Sequence, residues 1–137
     1  MLNLNSKYKA LIENETRYFV VTGGRGSGKS FEVGAFVSAL SFESGHKILF
    51  TRQTMTSAHL SIIPEFQEKI NLLEANHIFD INKSEILNKK SKSEIIFKGI
   101  KTSSGDQTAN LKSLQGVTTW ILDEAEELIS EDIFDKI

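Results

Sequence analysis

Short runs of β-branched and aromatic residues alternate along the chain with longer segments of helical periodicity. The runs occupy residues 17–22 (RYFVVT), 47–51 (KILFT), 94–98 (EIIFK) and 118–122 (TTWIL). Between the first two runs, residues 31–40 place apolar side chains on most sides of a helix. Alternation of this kind is typical of βαβ units, so the pattern predicts an α/β fold with a mostly parallel sheet flanked by helices.

Three local signals refine this prediction. Gly45 is expected to end the first helix, since glycine commonly follows the last helical turn. Residues 57–73 form a second helical pattern, in which Pro64 predicts a kink or a break. Ile86 and Leu87 are expected to pair with 94–98 as a hairpin, although residues 78–81 could compete for that pairing.

Composition narrows the class of protein. The chain has 137 residues, one Pro, nine Gly and no Cys, which suits one ordinary globular domain without disulfides or thiolate metal sites. Its longest apolar run covers about four residues, whereas a membrane helix needs roughly 20, and the N-terminus lacks the apolar stretch of a signal peptide. We therefore expect a cytoplasmic protein with no membrane partner.

Charge is distributed unevenly along the chain. The net charge is -2, yet residues 123–135 hold seven acidic side chains, against which stands only Lys136. The rest is mildly basic, and residues 84–112 carry six lysines against three acids. Such a stretch could attract a polyanion, although a solvated face is the more common meaning of such a cluster.

A glycine-rich segment carries the strongest functional signal. Residues 23–30 read GGRGSGKS and satisfy the pattern G-x-x-x-x-G-K-[ST] between a predicted strand and a predicted helix. Glycines allow backbone N–H groups to surround a phosphate chain at a helix N-terminus. The predicted phosphate-binding residues are Gly23, Gly24, Arg25, Gly26, Ser27, Gly28, Lys29 and Ser30.

Individual roles follow from side-chain chemistry. Lys29 would contact the β- and γ-phosphates, and the Ser30 hydroxyl would ligate Mg²⁺. Arg25 could reach the γ-phosphate and offset charge in the transition state, or it could pair with a surface acid or a DNA phosphate. Lys29 stands where a dinucleotide-binding fingerprint requires its third glycine, so a triphosphate is favoured over NAD.

Two acidic residues supply the expected second half of the site. Asp123 and Glu124 follow the apolar run 118–122. If that strand ends beside the phosphate loop, Asp123 would hold Mg²⁺, usually through water, and Glu124 would polarise the attacking water. The pair predicts hydrolysis, with Glu124, Arg25 and Lys29 as catalytic residues. No glycine stands three residues after Asp123, as a GTPase would typically show, so ATP is favoured.

In these motifs the chain resembles the N-terminal ATPase region of the phage terminase large subunit. The likeness covers GGRGSGKS, LFTRQT, SIIPEF, IIFKGI, LKSLQG and WILDEAEEL, in that order. It implies a P-loop NTPase of the additional-strand, conserved-glutamate type that uses ATP and Mg²⁺. The family roles fall on Lys29 and Ser30 for nucleotide and metal, Asp123 for metal, Glu124 as catalytic carboxylate and Arg25 as γ-phosphate sensor.

The same resemblance implies a function and partners. The family hydrolyses ATP to drive double-stranded DNA into a procapsid, and its partners are DNA, portal protein, terminase small subunit and further copies in a ring. The family's coupling motif, nuclease domain and the strand between the Walker B and phosphate-loop strands are not present here. We therefore expect residues 1–137 to be a truncated ATPase domain, with an incomplete sheet and no nuclease activity.

Two alternatives stay open on sequence grounds. Another DNA-acting P-loop ATPase, of helicase-like or partition type, would share both Walker motifs. A non-catalytic remnant would retain the motifs without turnover.

Overall fold

The computed structural model describes residues 5–13, 15–55, 60–101, 114–128, 131 and 135. These residues form three α-helices and five β-strands. The helices are α1 (Ala10–Glu13), α2 (Lys29–Leu40) and α3 (Ile62–Leu72). The strands are β1 (Lys47–Thr54), β2 (Phe79–Ile81), β3 (Glu85–Asn88), β4 (Glu94–Lys101) and β5 (Thr119–Leu122). Short 3₁₀ turns cover Ser6–Tyr8 and Ala125–Glu127.

The five strands form one mixed sheet in the order β2-β3-β4-β1-β5. Strand β1 lies between β4 and β5 and is parallel to both, with Phe50 opposite Phe97 on one side and Ile121 on the other. Strands β2, β3 and β4 are joined in antiparallel pairs. The longest pairing is parallel, which confirms the predicted α/β fold with a mostly parallel sheet.

Helices α2 and α3 cover one face of the sheet. The main core lies there, and its aromatic centre is formed by Phe50, Phe66 and Phe97, whose ring centroids are 5.1 to 5.7 Å apart. Successive side chains of a strand point to opposite faces. Leu49 therefore contributes to a smaller cluster with Ile96 and Ile100, packed against residues from 114 to 128.

Hydrogen bonds fix the direction of α2 relative to the sheet. After α2 ends, the Ser41 carbonyl accepts a bond from Ser91 Oγ at 2.6 Å, and the His46 amide donates to Ser93 Oγ at 3.1 Å. Both serines precede β4. The C-terminal end of α2 therefore lies at the edge where β1 and β4 begin.

The prediction of a strand at residues 17–22 is wrong. This segment has no strand pairing, and the side chains of Tyr18 and Val20 are 75% and 89% exposed. Residues of high strand propensity form a strand only beside a partner whose backbone groups they can bond. Among the described residues, the sheet provides no such partner for this segment.

Two smaller predictions are also wrong. Helix α2 ends at Leu40, and Gly45 lies in the turn before β1 with φ +81°. Pro64 lies in the first turn of α3, where a missing N–H breaks no helical bond, so it causes neither kink nor break. The predicted hairpin is confirmed as β3 and β4, and β2 pairs with the other edge of β3, so the expected competition does not arise. Residues 57–59 of the predicted second helix lie outside the described residues.

A further feature of the described segments concerns their helices. No helix there combines the length and apolar character that crossing a bilayer requires.

Candidate functional site

The glycine-rich loop leads directly into α2. Gly26 and Gly28 have φ of +78° and +80°, a region that glycine adopts without steric cost. Gly28 is the N-cap of α2, and its carbonyl accepts the first helical bond from Glu32 N at 2.9 Å. The Ser27 amide donates to Gly24 O at 3.2 Å and closes a turn before it. The glycine positions therefore produce the tight entry into a helix that the motif predicted.

Lys29 folds back over this loop. Its ammonium group donates to the carbonyl oxygens of Gly23 and Gly24, the second at 3.3 Å. Ser30 is exposed in the first turn of α2. Arg25 is also exposed, and it makes no ion pair with the described residues. The positive groups of the loop thus lie close to solvent at the start of a helix, where the helix dipole favours an anion.

The N-terminal segment packs on the loop, a contact that no sequence motif signals. The Ser27 carbonyl accepts bonds from Lys7 Nζ at 3.2 Å and from the Tyr8 hydroxyl at 3.4 Å. The Asn5 amide donates to Glu32 Oε1 at 3.0 Å. Tyr8 is buried by these contacts. The segment therefore forms one wall beside the loop.

A groove of about 310 Å³ lies between this segment and the residues that precede the loop. One side is lined by Lys7, Tyr8, Ala10 and Leu11, and the other by residues 19–22. The lining combines aromatic and aliphatic groups with one lysine.

Asp123 follows β5 and is held by two neighbouring residues of β1. Its amide donates to Thr51 O at 2.8 Å. Its Oδ2 accepts from Arg52 Nε at 2.8 Å and lies 2.7 Å from Arg52 Nη2. Sequence reasoning assigned Arg52 no contact. Its position near the end of a strand that pairs in parallel with β5 is the signal that could have found it.

Glu124 has an unusual backbone conformation. Its φ is +53°, which is costly for a residue other than glycine. The pKa of Glu124 is raised above its ordinary value because part of the carboxyl is shielded from water. Arg52 opposes this rise, and the nearby carboxylates of Asp123, Glu127 and Glu126 add to it. Glu124, the acid predicted to polarise the attacking water, therefore has both a strained backbone and a raised carboxyl pKa.

The two halves of the predicted site make no polar contact with each other among the described residues. Asp123 and Glu124 lie at the C-terminal end of β5, whereas residues 23–30 lead into the N-terminal end of α2. Within the described ranges, no hydrogen bond or ion pair joins these acids to residues 23–30. A ligand that contacts both halves would therefore have to bridge them.

No ready-made metal centre is present in the described part of the chain, where no three His, Cys, Asp or Glu side chains cluster suitably. Ser30 and Asp123 offer oxygen ligands, which suit Mg²⁺. Mg²⁺ also keeps several waters and is commonly shared with substrate phosphates. This donor set therefore fits a cation delivered with a nucleotide.

Two comparisons with known proteins agree with each other. The sequence profile described as phage terminase large subunit matches residues 15–137. The chain is also 26% identical over 122 residues to the large terminase subunit of Bacillus phage SPP1, covering 84% of this chain and 28% of that relative. It thus spans little more than a quarter of the relative's length. Because the profile match extends over most of its residues, the chain belongs to the phage terminase large subunit family.

Proposed function

We propose that this chain is the ATP-hydrolysing region of a DNA-packaging motor, which powers translocation of double-stranded DNA into a procapsid. One observation carries the proposal: Lys29 folds over a glycine loop that opens α2, and α2 ends at the sheet edge where β1 begins, opposite the edge where Asp123 and Glu124 follow β5. Family membership supports packaging over a helicase-like or partition ATPase. A P-loop NTPase fold of the additional-strand, conserved-glutamate type is part of this proposal.

Each residue has a separate role in the proposed reaction. The loop amides and Lys29 bind the phosphates, and Lys29 exchanges its bonds to Gly23 O and Gly24 O for phosphate oxygens. Ser30 and Asp123 hold the Mg²⁺ that accompanies ATP, and this cation would neutralise phosphate charge. Glu124 accepts a hydrogen bond from the attacking water and orients it. Arg25, which is exposed on the loop, offsets charge on the γ-phosphate.

The groove beside the loop supports a nucleoside ligand over free phosphate. Tyr8 and Phe19 bring aromatic side chains to its lining, and the Ser27 carbonyl connects its wall to the loop. A base in this groove would leave its phosphates near the start of α2. Aromatic and aliphatic walls suit a purine ring.

The larger assembly is also a proposal, because the chain spans 28% of the relative that it matches. The proposed partners are double-stranded DNA, portal protein, terminase small subunit and further copies of the subunit in a ring. We propose that residues 1–137 act as the ATPase portion in the cytoplasm of the bacterial host. Nuclease activity is not assigned to these residues.

Nucleotide-dependent stabilisation tests the binding half of the proposal. ATP with Mg²⁺ at a hundredfold excess over Kd should stabilise the protein by about 2.7 kcal/mol. Lys29→Ala should abolish that shift, whereas Lys90→Ala, an exposed lysine beyond β3, should retain it. Thermal melting with and without nucleotide measures the effect. An unchanged shift in Lys29→Ala would reject the assigned role.

Turnover tests the catalytic half. Glu124→Gln should bind ATP as well as the parent protein does, yet hydrolyse it slower by about two to four orders of magnitude, the range of general-base catalysis. The neighbouring exposed acid Glu126 provides a matched control, since Glu126→Gln should leave turnover unchanged. Phosphate release measures both variants. Equal rates in the parent and Glu124→Gln would remove Glu124 from the mechanism.

A further inference from the structure

Arg52 forms an ion pair with Asp123, the acidic residue that follows β5. Both Nε and Nη2 of its guanidinium approach the same oxygen of Asp123, Oδ2, at 2.8 and 2.7 Å. Only about a fifth of either side chain is exposed to solvent, at 18% and 19%. The contact is thus a largely shielded, charge-assisted pair, which restricts the carboxylate more than a mobile surface pair would.

The backbone adds a second restraint on the same acid. The Asp123 amide donates to the carbonyl of Thr51, the residue before Arg52. Two successive residues of β1 therefore hold both the main chain and the side chain of Asp123. Among the described residues, Oδ1 accepts no hydrogen bond. Arg52 thus fixes one carboxylate oxygen of Asp123, Oδ2.

We propose that Arg52 is a positioning residue that orients Asp123 so that Oδ1 receives the divalent cation or its bound water. This inference rests on the proposed function and extends it to a residue that the sequence motifs left without a role. A single oxygen is sufficient because Mg²⁺ keeps several waters and often takes only one or two carboxylates. Arg52 can therefore remain in place while the cation is bound.

A competing arrangement makes the opposite prediction. If Arg52 merely occupied the cation's place, its removal would free Oδ2, remove a nearby positive charge and strengthen cation binding. If Arg52 positions Asp123, its removal lets the carboxylate rotate, and cation binding weakens. The sign of the change in Mg²⁺ requirement therefore decides between the two arrangements.

The test measures Mg²⁺-dependent binding of a non-hydrolysable ATP analogue, adenylyl imidodiphosphate, so that it does not depend on turnover. Arg52→Gln should raise the Mg²⁺ concentration for half-maximal binding at least about tenfold. Arg52→Lys should recover part of this loss, because lysine keeps the charge but not the planar fork of donors. Lys47→Gln is the matched control: it removes the ion pair with Glu94 at the other end of β1 and should leave the Mg²⁺ requirement unchanged.

A double variant of Arg52 and Asp123 distinguishes a positioning role of Arg52 from a general effect on the structure. Asp123→Asn should raise the Mg²⁺ requirement as Arg52→Gln does, and the double variant should show no further loss, since both remove the same interaction. Additive losses would overturn the proposal, as would an unchanged or lowered Mg²⁺ requirement in Arg52→Gln. If Arg52→Gln does not fold, Arg52→Lys decides, with at least a threefold higher requirement expected and an unchanged one overturning the proposal.

A second readout uses Mn²⁺ alone and keeps this inference distinct from the proposed function. Paramagnetic broadening of the Asp123 amide signal should be weaker in Arg52→Gln than in the parent protein, and equal or stronger broadening would overturn the inference. Failure of the parent protein to bind the nucleotide analogue would reject the proposed function, and the Mn²⁺ comparison would still decide the role of Arg52.

Discussion

Two apolar runs of similar composition adopt different structures in this molecule: one forms a buried strand and the other stays exposed. Residues 17–22 and 47–51 both combine aromatic and β-branched side chains and both precede a turn or loop with polar residues. The second run belongs to β1, an interior strand of the sheet, where Ile48 and Phe50 are 0% and 3% exposed. The first run lies outside the described sheet, and Val20 is 89% exposed.

The difference shows that strand propensity and strand formation are separate. Strand β1 pairs with β4 on one side and β5 on the other, and α2 and α3 cover one of its faces. Residues 17–22 have no strand neighbour among the described residues, and the N-terminal segment meets them only across a groove. The glycine loop thus joins residues 17–22, which have no strand partner among the described residues, to helix α2, which packs on the sheet.

Hydrogen exchange provides the largest expected contrast between the two runs. Amides of residues 48–51 should be protected up to the free energy of global unfolding, on the order of 5–15 kcal/mol for a small domain. Amides of residues 18–22 should exchange close to the rate of an unstructured peptide. Exchange followed by NMR or mass spectrometry tests this, and strong protection of residues 19–21 would contradict it.

Side-chain truncation should show the same contrast in stability. Phe66 is 1% exposed and contacts Phe50 and Phe97, so Phe66→Ala should lower the free energy of unfolding by about 3–5 kcal/mol. Tyr18→Ala, at a residue 75% exposed, should change it by less than about 0.5 kcal/mol. Urea denaturation measures both. Similar losses in the two variants would mean that residues 17–22 are packed as well as the core.

Two lysines extend the comparison to charged groups. Lys29 lies over the solvent-accessible loop, whereas Lys69 is buried between α2 and α3, with its ammonium 5.0 Å from the centre of the Phe31 ring. Burial lowers the pKa of Lys69, and attraction from Glu65 and Glu68 only partly opposes this. The folded protein therefore bears a cost for the charged lysine at neutral pH.

The direction of the pH dependence follows from proton binding. Between the lowered pKa of Lys69 and its ordinary value of 10.5, the unfolded chain binds more protons, so this residue makes stability rise with pH. Lys69→Met should stabilise the protein at neutral pH, because methionine fills a similar space without a charge to desolvate. This difference should shrink as the pH rises toward the ordinary value. Urea denaturation at several pH values tests the trend, and a difference that grows with pH would contradict it.

The smallest expected effect concerns the strained end of β5. Glu124→Gly should raise the free energy of unfolding by about 1 kcal/mol, because glycine adopts φ of +53° without steric cost. Glu124→Gln keeps the strain and should leave stability unchanged. Both variants should lose ATP turnover under the proposed function. Equal stability of the two variants, measured in urea, would show that the backbone at this position is not strained.

Much of the architecture could be read from local pattern. Local pattern predicted both long helices and four strands, β1, β3, β4 and β5. Alternation of strand and helix signals over this length strongly favours one class of fold. The tight glycine turn into α2 was also predicted, since few sequences other than the glycine pattern can adopt it. The assigned chemical roles of Lys29, Asp123 and Glu124 remain proposals.

Long-range contacts decided the rest. Residues 17–22 fail to form a strand because strand hydrogen bonds need a neighbour, and propensity cannot supply one. Arg52 meets Asp123, 71 residues later, only because β1 and β5 pair in parallel and end at the same edge. Local sequence pattern was enough to predict both long helices, four of the five strands and the glycine turn into α2. Tertiary structure decided which extended run has a partner and which cation faces the acids, since both depend on contacts between residues far apart in the chain.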